Sequence, residues 1–226
     1  MKKIVLLTLA LGSALVFAGC QATDTVGKFA VKSFESVLAV DEKQVAFDEE
    51  NNGWALSSPG GERFIWGKDF SSEGKADFVI ELDATPFVNA GLDATKLDPD
   101  MYLLDATSNT LVVYAEIGTD DLGASDSTTA LDSFKAIVKT YRDNIGYHEK
   151  LDHYGVELGG GNMFEWAKDM STNDLDIVFV LDPKALIDAG VDPTKVTDWK
   201  FAQVEVMDDQ GKEITVDKFL KPYNLK

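Results

Sequence analysis

Apolar residues in this chain follow first a helical and then a strand rhythm, and the pair of rhythms occurs twice. Ala30, Phe34, Val37 and Leu38 share one side at three- and four-residue spacing, which predicts a helix laid on a core. Leu131, Phe134, Ile137, Val138 and Tyr141 predict a second, with Ser127, Thr128 and Thr129 as candidate N-caps. Short strands follow each helix. Gly53-Trp54-Ala55-Leu56 aligns with Gly155-Val156-Glu157-Leu158. Phe78, Ile80 and Leu82 alternate on one side of a strand. Their counterparts Ile177, Phe179 and Leu181 have Val178 and Val180 opposite, so that strand is apolar on both faces and belongs at the centre of a sheet. Asp83 and Asp182 suit N-caps of short helices, Pro183 the first helical position, and Gly91 and Gly190 the stop. Hairpins are expected from Tyr102 to Ile117 and from Phe201 to Val216.

The two passes are copies of one pattern. Phe64-Ile65-Trp66-Gly67-Lys68-Asp69-Phe70-Ser71 reappears 100 residues later as Phe164-Glu165-Trp166-Ala167-Lys168-Asp169-Met170-Ser171. Asp77 to Leu97 then aligns with Asp176 to Val196, and Ser33-Phe34 with Ser133-Phe134. Two copies are too few for a solenoid. The expected fold is α+β: two tandem homologous units, each a helix plus a mainly antiparallel sheet with a short crossover helix. The units fall at 26–120 and 125–226.

The chain opens with Lys2 and Lys3, an apolar run from Ile4 to Phe17, and then Ala18, Gly19 and Cys20. That run is shorter than the roughly 20 residues of a membrane-spanning helix, and the layout is that of a signal peptide over 1–19. Phe17-Ala18-Gly19-Cys20 resembles the lipobox of bacterial lipoproteins, with Phe17 where Leu is more usual. The resemblance implies that Cys20 carries a lipid and becomes the first mature residue. Residues 20–25 then form a lipidated tether, of which the five residues from Gln21 to Thr25 span at most roughly 18 Å if extended. Gln21, rather than Asp, follows the cysteine, which implies the outer membrane if the host has two.

Charge and composition narrow the partners. Removing Lys2 and Lys3 leaves 19 basic against 39 acidic residues, a net of −20. Such a surface repels nucleic acid. Cys20 is the only cysteine, so the mature chain forms no internal disulfide and no structural zinc site built on several cysteines. His148 and His153 are the only histidines, too few for a three-histidine metal site, and no metal or cofactor is expected. Gly-x-Ser-x-Gly and His-Glu-x-x-His are absent, and Gly159-Gly160-Gly161 is not followed by the Lys-Ser/Thr pair of a P-loop.

Several residues remain as candidate sites. Phe64 and Trp66, like Phe164 and Trp166, point the same way from a strand and read as core anchors. Asp83, Asp93, Asp98, Asp100 and Asp105 read as caps and turn residues ahead of a cation site. Trp54, aligned with Val156, and Trp199, aligned near Asp100, have no tryptophan counterpart in the other unit. With the Gly159-Gly160-Gly161 loop they are the candidate ligand- or partner-binding positions. Gly123-Ala124-Ser125-Asp126-Ser127-Thr128 resembles the Ser/Thr-Gly-Ala-Thr flavin-attachment motif of FMN-bearing bacterial lipoproteins and of a subunit of a sodium-pumping quinone oxidoreductase. Leu122 and Ser125 depart from that motif, which leaves Ser125 a weak flavin alternative to a linker with helix caps.

The expected function is a non-enzymatic, membrane-anchored envelope lipoprotein that binds an extracytoplasmic ligand or protein partner. An FMN-carrying electron-transfer lipoprotein and an extracytoplasmic hydrolase are the alternatives. A hydrolase needs His148 or His153 in a cleft beside a buried carboxylate and a serine. Replacing Cys20 by Ala is predicted to move the protein from the membrane to the soluble fraction, because no second anchoring chemistry is visible. Retention of that variant on membranes after a high-salt wash would contradict the lipid anchor.

Overall fold

A computed structural model of the chain describes residues 11–12, 20–40, 42–67, 77–115, 129–148, 151–171, 175–207 and 212–225. In chain order its elements are β1 (Leu11–Gly12), α1 (Cys20–Val40), β2 (Val45–Asp48), β3 (Gly53–Ser57), β4 (Arg63–Gly67), β5 (Phe78–Asp83) and α2 (Thr85–Asn89). Then come β6 (Tyr102–Asp105), β7 (Thr110–Tyr114), α3 (Ala130–Thr140), β8 (Ile145–His148), β9 (His153–Gly159) and β10 (Asn162–Ala167). The last are β11 (Ile177–Leu181), α4 (Pro183–Asp188), β12 (Lys200–Met207) and β13 (Glu213–Tyr223). Cys20 opens α1, so residues 20–25 are the first helical turns rather than an extended tether. At 1.5 Å per residue they rise about 8 Å.

The fold is α+β, with two antiparallel six-stranded sheets, each preceded by a helix. The strand orders are β2-β3-β4-β5-β7-β6 and β8-β9-β10-β11-β13-β12, with β1 parallel to β12 at one edge. Adding six to every strand number of the first order gives the second, so the two units share one topology. The edge strands β2 and β8 go beyond the sequence expectation. The exposed Ala46 and Phe47 of β2 show none of the alternation that marks a half-buried strand. Local capping follows the sequence closely. Thr129 caps α3 by accepting from Asp132 N at 3.2 Å, and Asp182 caps α4 by accepting from Lys184 N at 2.9 Å. Asp83 sits one residue before the cap of α2 and accepts from Thr85 N at 2.9 Å.

Strand registers correct the alignment of the second strand of each unit, β3 and β9. Trp54 lies opposite Trp66, and Tyr154 lies opposite Trp166. Trp54 therefore corresponds to Tyr154, not to Val156. A glycine-to-glycine match displaces this strand by two residues. The segments from Leu56 to Phe64 and from Val156 to Phe164 then have equal length, and Gly60-Gly61 corresponds to Gly160-Gly161. At the other sheet edge Leu103 pairs with Val112 and Lys200 with Leu220. Val112 and Leu220 are equivalent through their partners Glu81 and Val180. Trp199, one residue before Lys200, therefore corresponds to Tyr102 rather than to a position near Asp100.

Each leading helix packs on the sheet of the other unit. Helix α1 lies against β8, β9 and β10, and α3 lies against β4. Ser33 Oγ donates to Ala167 O at 2.5 Å, and Ser133 Oγ donates to Gly67 O at 2.7 Å. The contacts along the joint are paired in the same way. Phe34 stacks on Phe134 with ring centroids 3.8 Å apart, and Phe64 stacks on Phe164 at 4.1 Å. Asp93 N donates to Ala189 O at 2.8 Å, and Asp192 N donates to Ala90 O at 2.9 Å. Reciprocal contacts between matching residues are the mark of two-fold symmetry, here approximate and within one chain. All four phenylalanines are fully buried, and the inner faces of both sheets and the two long helices make one hydrophobic core.

One polar contact across the joint titrates near neutral pH. Tyr141, at the end of α3, donates its hydroxyl to the buried Asp77 carboxyl of the first unit. Burial pushes Asp77 up to about 7. The group binds a proton more tightly folded than unfolded, so its contribution to stability is present below its ordinary value of 3.8 and is lost as pH rises through about 7. Asp77→Asn is therefore predicted to gain stability relative to wild type as pH rises from about 4 to about 8. Urea unfolding across that range measures the difference, and parallel curves would refute it.

Candidate functional site

The joint between the units holds a buried ion pair. Glu62, 1% exposed in the turn after β3, reaches β13 of the second unit, where Lys221 Nζ lies 2.5 Å from its Oε1. Ser58 Oγ donates to Oε2 at 2.6 Å, and the Tyr223 hydroxyl donates to the same oxygen. Burial opposes the charge, yet hydrogen bonds from Lys221, Ser58 and Tyr223 outweigh it and hold the carboxyl below its usual range. Burial and the neighbouring Glu62 push the Tyr223 phenol up. At the position of Lys221 the first unit has Val113, so this pair belongs to one side of the pseudo-symmetric joint alone. Over it lies an open depression of about 570 Å³ lined by Asp198, Trp199, Lys200, Lys221, Pro222 and Tyr223. The Lys221 ammonium sits 5.6 Å from the Trp199 ring centroid, within range of a cation–π attraction.

The sequence candidates fall in different places. Trp199 borders this depression but is only 7% exposed, and Trp54 is half-buried against Phe47 at 5.4 Å. Trp66 and Trp166 are fully buried, as core anchors should be. Neither Trp54 nor Trp199 is special to its unit, since Tyr154 and Tyr102 replace them. Gly159, Gly160 and Gly161 all have positive φ, at 93°, 57° and 77°, which favours glycine. Their turn is tied down by Lys218, whose Nζ donates to Gly161 O at 2.8 Å and to Asp182 Oδ2 at 2.9 Å. The Asp-rich stretch is made of turn and cap residues. Asp83, Asp93, Asp98 and Asp105 each accept from the backbone N–H two residues on. Ser125 lies outside the described residues.

A second cluster escaped the sequence analysis because one member did. Glu165 is 4% exposed on the outer face of the second sheet. Its Oε1 lies 3.5 Å from His148 Nδ1, and its Oε2 lies 3.7 Å from His153 Nδ1. The strands bring the three together: His148 pairs with His153 across β8 and β9, and Glu165 is two residues from the partner of His153 in β10. The signal was present in the repeat, where Ile65 of one copy becomes Glu165 of the other inside an otherwise matched apolar strand. The cluster supplies the histidine and buried carboxylate of the hydrolase alternative. All three side chains are buried, and among the described residues no serine hydroxyl is hydrogen-bonded to either imidazole.

Comparison with known proteins gives no relative to lean on: no family model, no curated protein and no solved structure matches this chain. The ion pair at the joint is directly testable. Lys221→Met leaves Glu62 buried without its counter-charge and is predicted to lower stability by about 3 kcal/mol in urea unfolding. Adding Glu62→Gln should recover part of that loss. A Lys221→Met protein as stable as wild type would show that the pair holds nothing together.

Proposed function

We propose that this chain is a non-enzymatic lipoprotein of the cell envelope, held by a lipid on Cys20, whose body binds an extracytoplasmic ligand or protein partner. The two units are read as homologous copies produced by duplication. The observation that carries the proposal is the continuity of the anchor with the fold. Cys20, the last residue of the lipobox-like segment, is the first of α1, and Ala30, Phe34 and Val37 of that helix are buried in the joint core. A lipid on Cys20 would therefore hold the whole body, not a loose tail. No helix among the described residues is long and apolar enough to cross a membrane. In a host with two membranes the anchor is assigned to the outer one.

Binding is assigned to the depression over the joint. It combines the Trp199 and Tyr223 rings with the ammonium groups of Lys200 and Lys221 and the Asp198 carboxylate, an apolar floor with a few polar groups. The test is affinity capture from detergent-solubilised envelopes with wild type and with Lys200→Glu, followed by direct binding of the purified partner. A partner held by wild type and lost by the variant is expected. Equal binding by both would remove the depression from the proposal. A flavin spectrum in the purified protein would replace the proposal with the FMN-bearing alternative.

A further inference from the structure

The outer face of the second sheet is apolar at Met163, Val178 and Val180, yet Glu165 lies in it between two histidines. At the matching positions the first unit has Ile65, Asp48 and Gly53, so the shared fold requires neither the carboxylate nor the imidazoles. His153 Nε2 is 2.8 Å from the carbonyl oxygen of Leu175. A carbonyl only accepts, so Nε2 carries a proton. A neutral ring with that proton has a lone pair on Nδ1, facing the acceptor Oε2 of Glu165 at 3.7 Å. The two groups are 2% and 4% exposed, where repulsion between them is poorly screened. A second proton on Nδ1 turns that contact into attraction. For His148, with neither ring nitrogen hydrogen-bonded among the described residues, one proton on Nδ1 suffices to face Oε1.

We propose that His153 is an imidazolium paired with the Glu165 carboxylate, and that this proton latches the edge hairpin β8–β9 onto β10. Burial opposes the Glu165 charge, but His148 and His153 outweigh it and hold the carboxyl below its ordinary range. Gly155, opposite Glu165, leaves the carboxylate its place, since a Cβ there would lie 3.2 Å from Glu165 Cγ. Other charged groups nearby are already engaged. Asp152 binds Lys168 Nζ at 3.0 Å and the Tyr147 hydroxyl, and Asp176 at the head of β11 accepts from Leu225 N at 2.6 Å. From α1, Ser33 donates to Ala167 O. Glu149 and Lys150 lie outside the described residues. No three metal-ligating side chains among the described residues are placed to hold an ion, which favours a proton as the cation. Without the second His153 proton Glu165 would lie buried with no counter-charge facing its Oε2, and a proton on Glu165 itself would end the pair from the other side. Because α1 packs on β8 and β9, the latch bears on the helix that begins at Cys20.

Ring-nitrogen NMR of the mature protein with labelled histidine at pH 7 reads the proton directly, with His148→Gln to tell the two rings apart. Protons on both nitrogens of His153 are expected in wild type, and on Nε2 alone in Glu165→Gln. A singly protonated His153 in wild type overturns the proposal, whether or not the variant folds. Amide exchange gives the second readout. In Glu165→Gln the amides of β8 and β9 should exchange about tenfold faster while β11 and β13 are unchanged. Unchanged rates in the hairpin would refute the latch. Ring shifts that appear with added zinc and reverse with a chelator would put a metal where the proton is assigned, and would also overturn it.

Discussion

Phe64 of the first sheet and Phe164 of the second stack face to face across the joint, nearly parallel at 4°, and the rest of the fold is arranged around that contact. Neither sheet has a complete core of its own. Phe34 from α1 meets Trp66 and Trp166 at 5.3 Å each, so one ring from the first helix packs on strands of both units. Buried aromatic rings in such numbers carry much of the stabilising area. Because each helix packs on the other unit's sheet, opening the joint exposes both halves of that core at once. The two units are similar in topology, but they are not independent in packing.

Symmetry in this molecule marks what the fold requires, and departures from it mark what is particular to one side. The stacked phenylalanines, the exchanged serine hydrogen bonds and the reciprocal Asp93 and Asp192 amides are paired. The Glu62–Lys221 contact and the His148–Glu165–His153 cluster are not. Buried charge needs compensation wherever it occurs, and these two places put it where the companion unit has Val113 or Ile65. A pseudo-symmetric scaffold can hold such groups on one side because the matching contacts of the other side already hold the core. In the first unit Arg63 spans Asp48 and Glu81.

The proposed lipid site at Cys20 and the joint are linked by one helix. Helix α1 runs from Cys20 to Val40 and buries Ala30, Phe34 and Val37 in the shared core. A lipid at its first residue would hold a rigid element about 30 Å long, at 1.5 Å per residue. The two asymmetric features lie at different places in this arrangement. One sits under the depression beside β13, and the other is on the strands that α1 covers.

Much of the fold was legible along the chain. Two helices, the central strands, the hairpins and the caps at Thr129 and Asp182 follow from periodicity and local hydrogen bonding, which depend on neighbours in sequence. The repeat made the buried roles of Phe34, Phe64, Phe134 and Phe164 readable as well. What the sequence could not determine is what lies between chain-distant residues. Strand register moved Trp54 onto Tyr154 and Trp199 onto Tyr102, because ladders are set by cross-strand hydrogen bonds rather than by matching glycines. The exchange of α1 and α3 left no mark on periodicity, since a helix shows the same apolar stripe whichever sheet it covers. Along the chain Glu165 stands out only as the counterpart of Ile65, until β8, β9 and β10 are placed side by side. Only the tertiary structure decides that it is buried between two imidazoles, because burial and charge compensation depend on which strands meet.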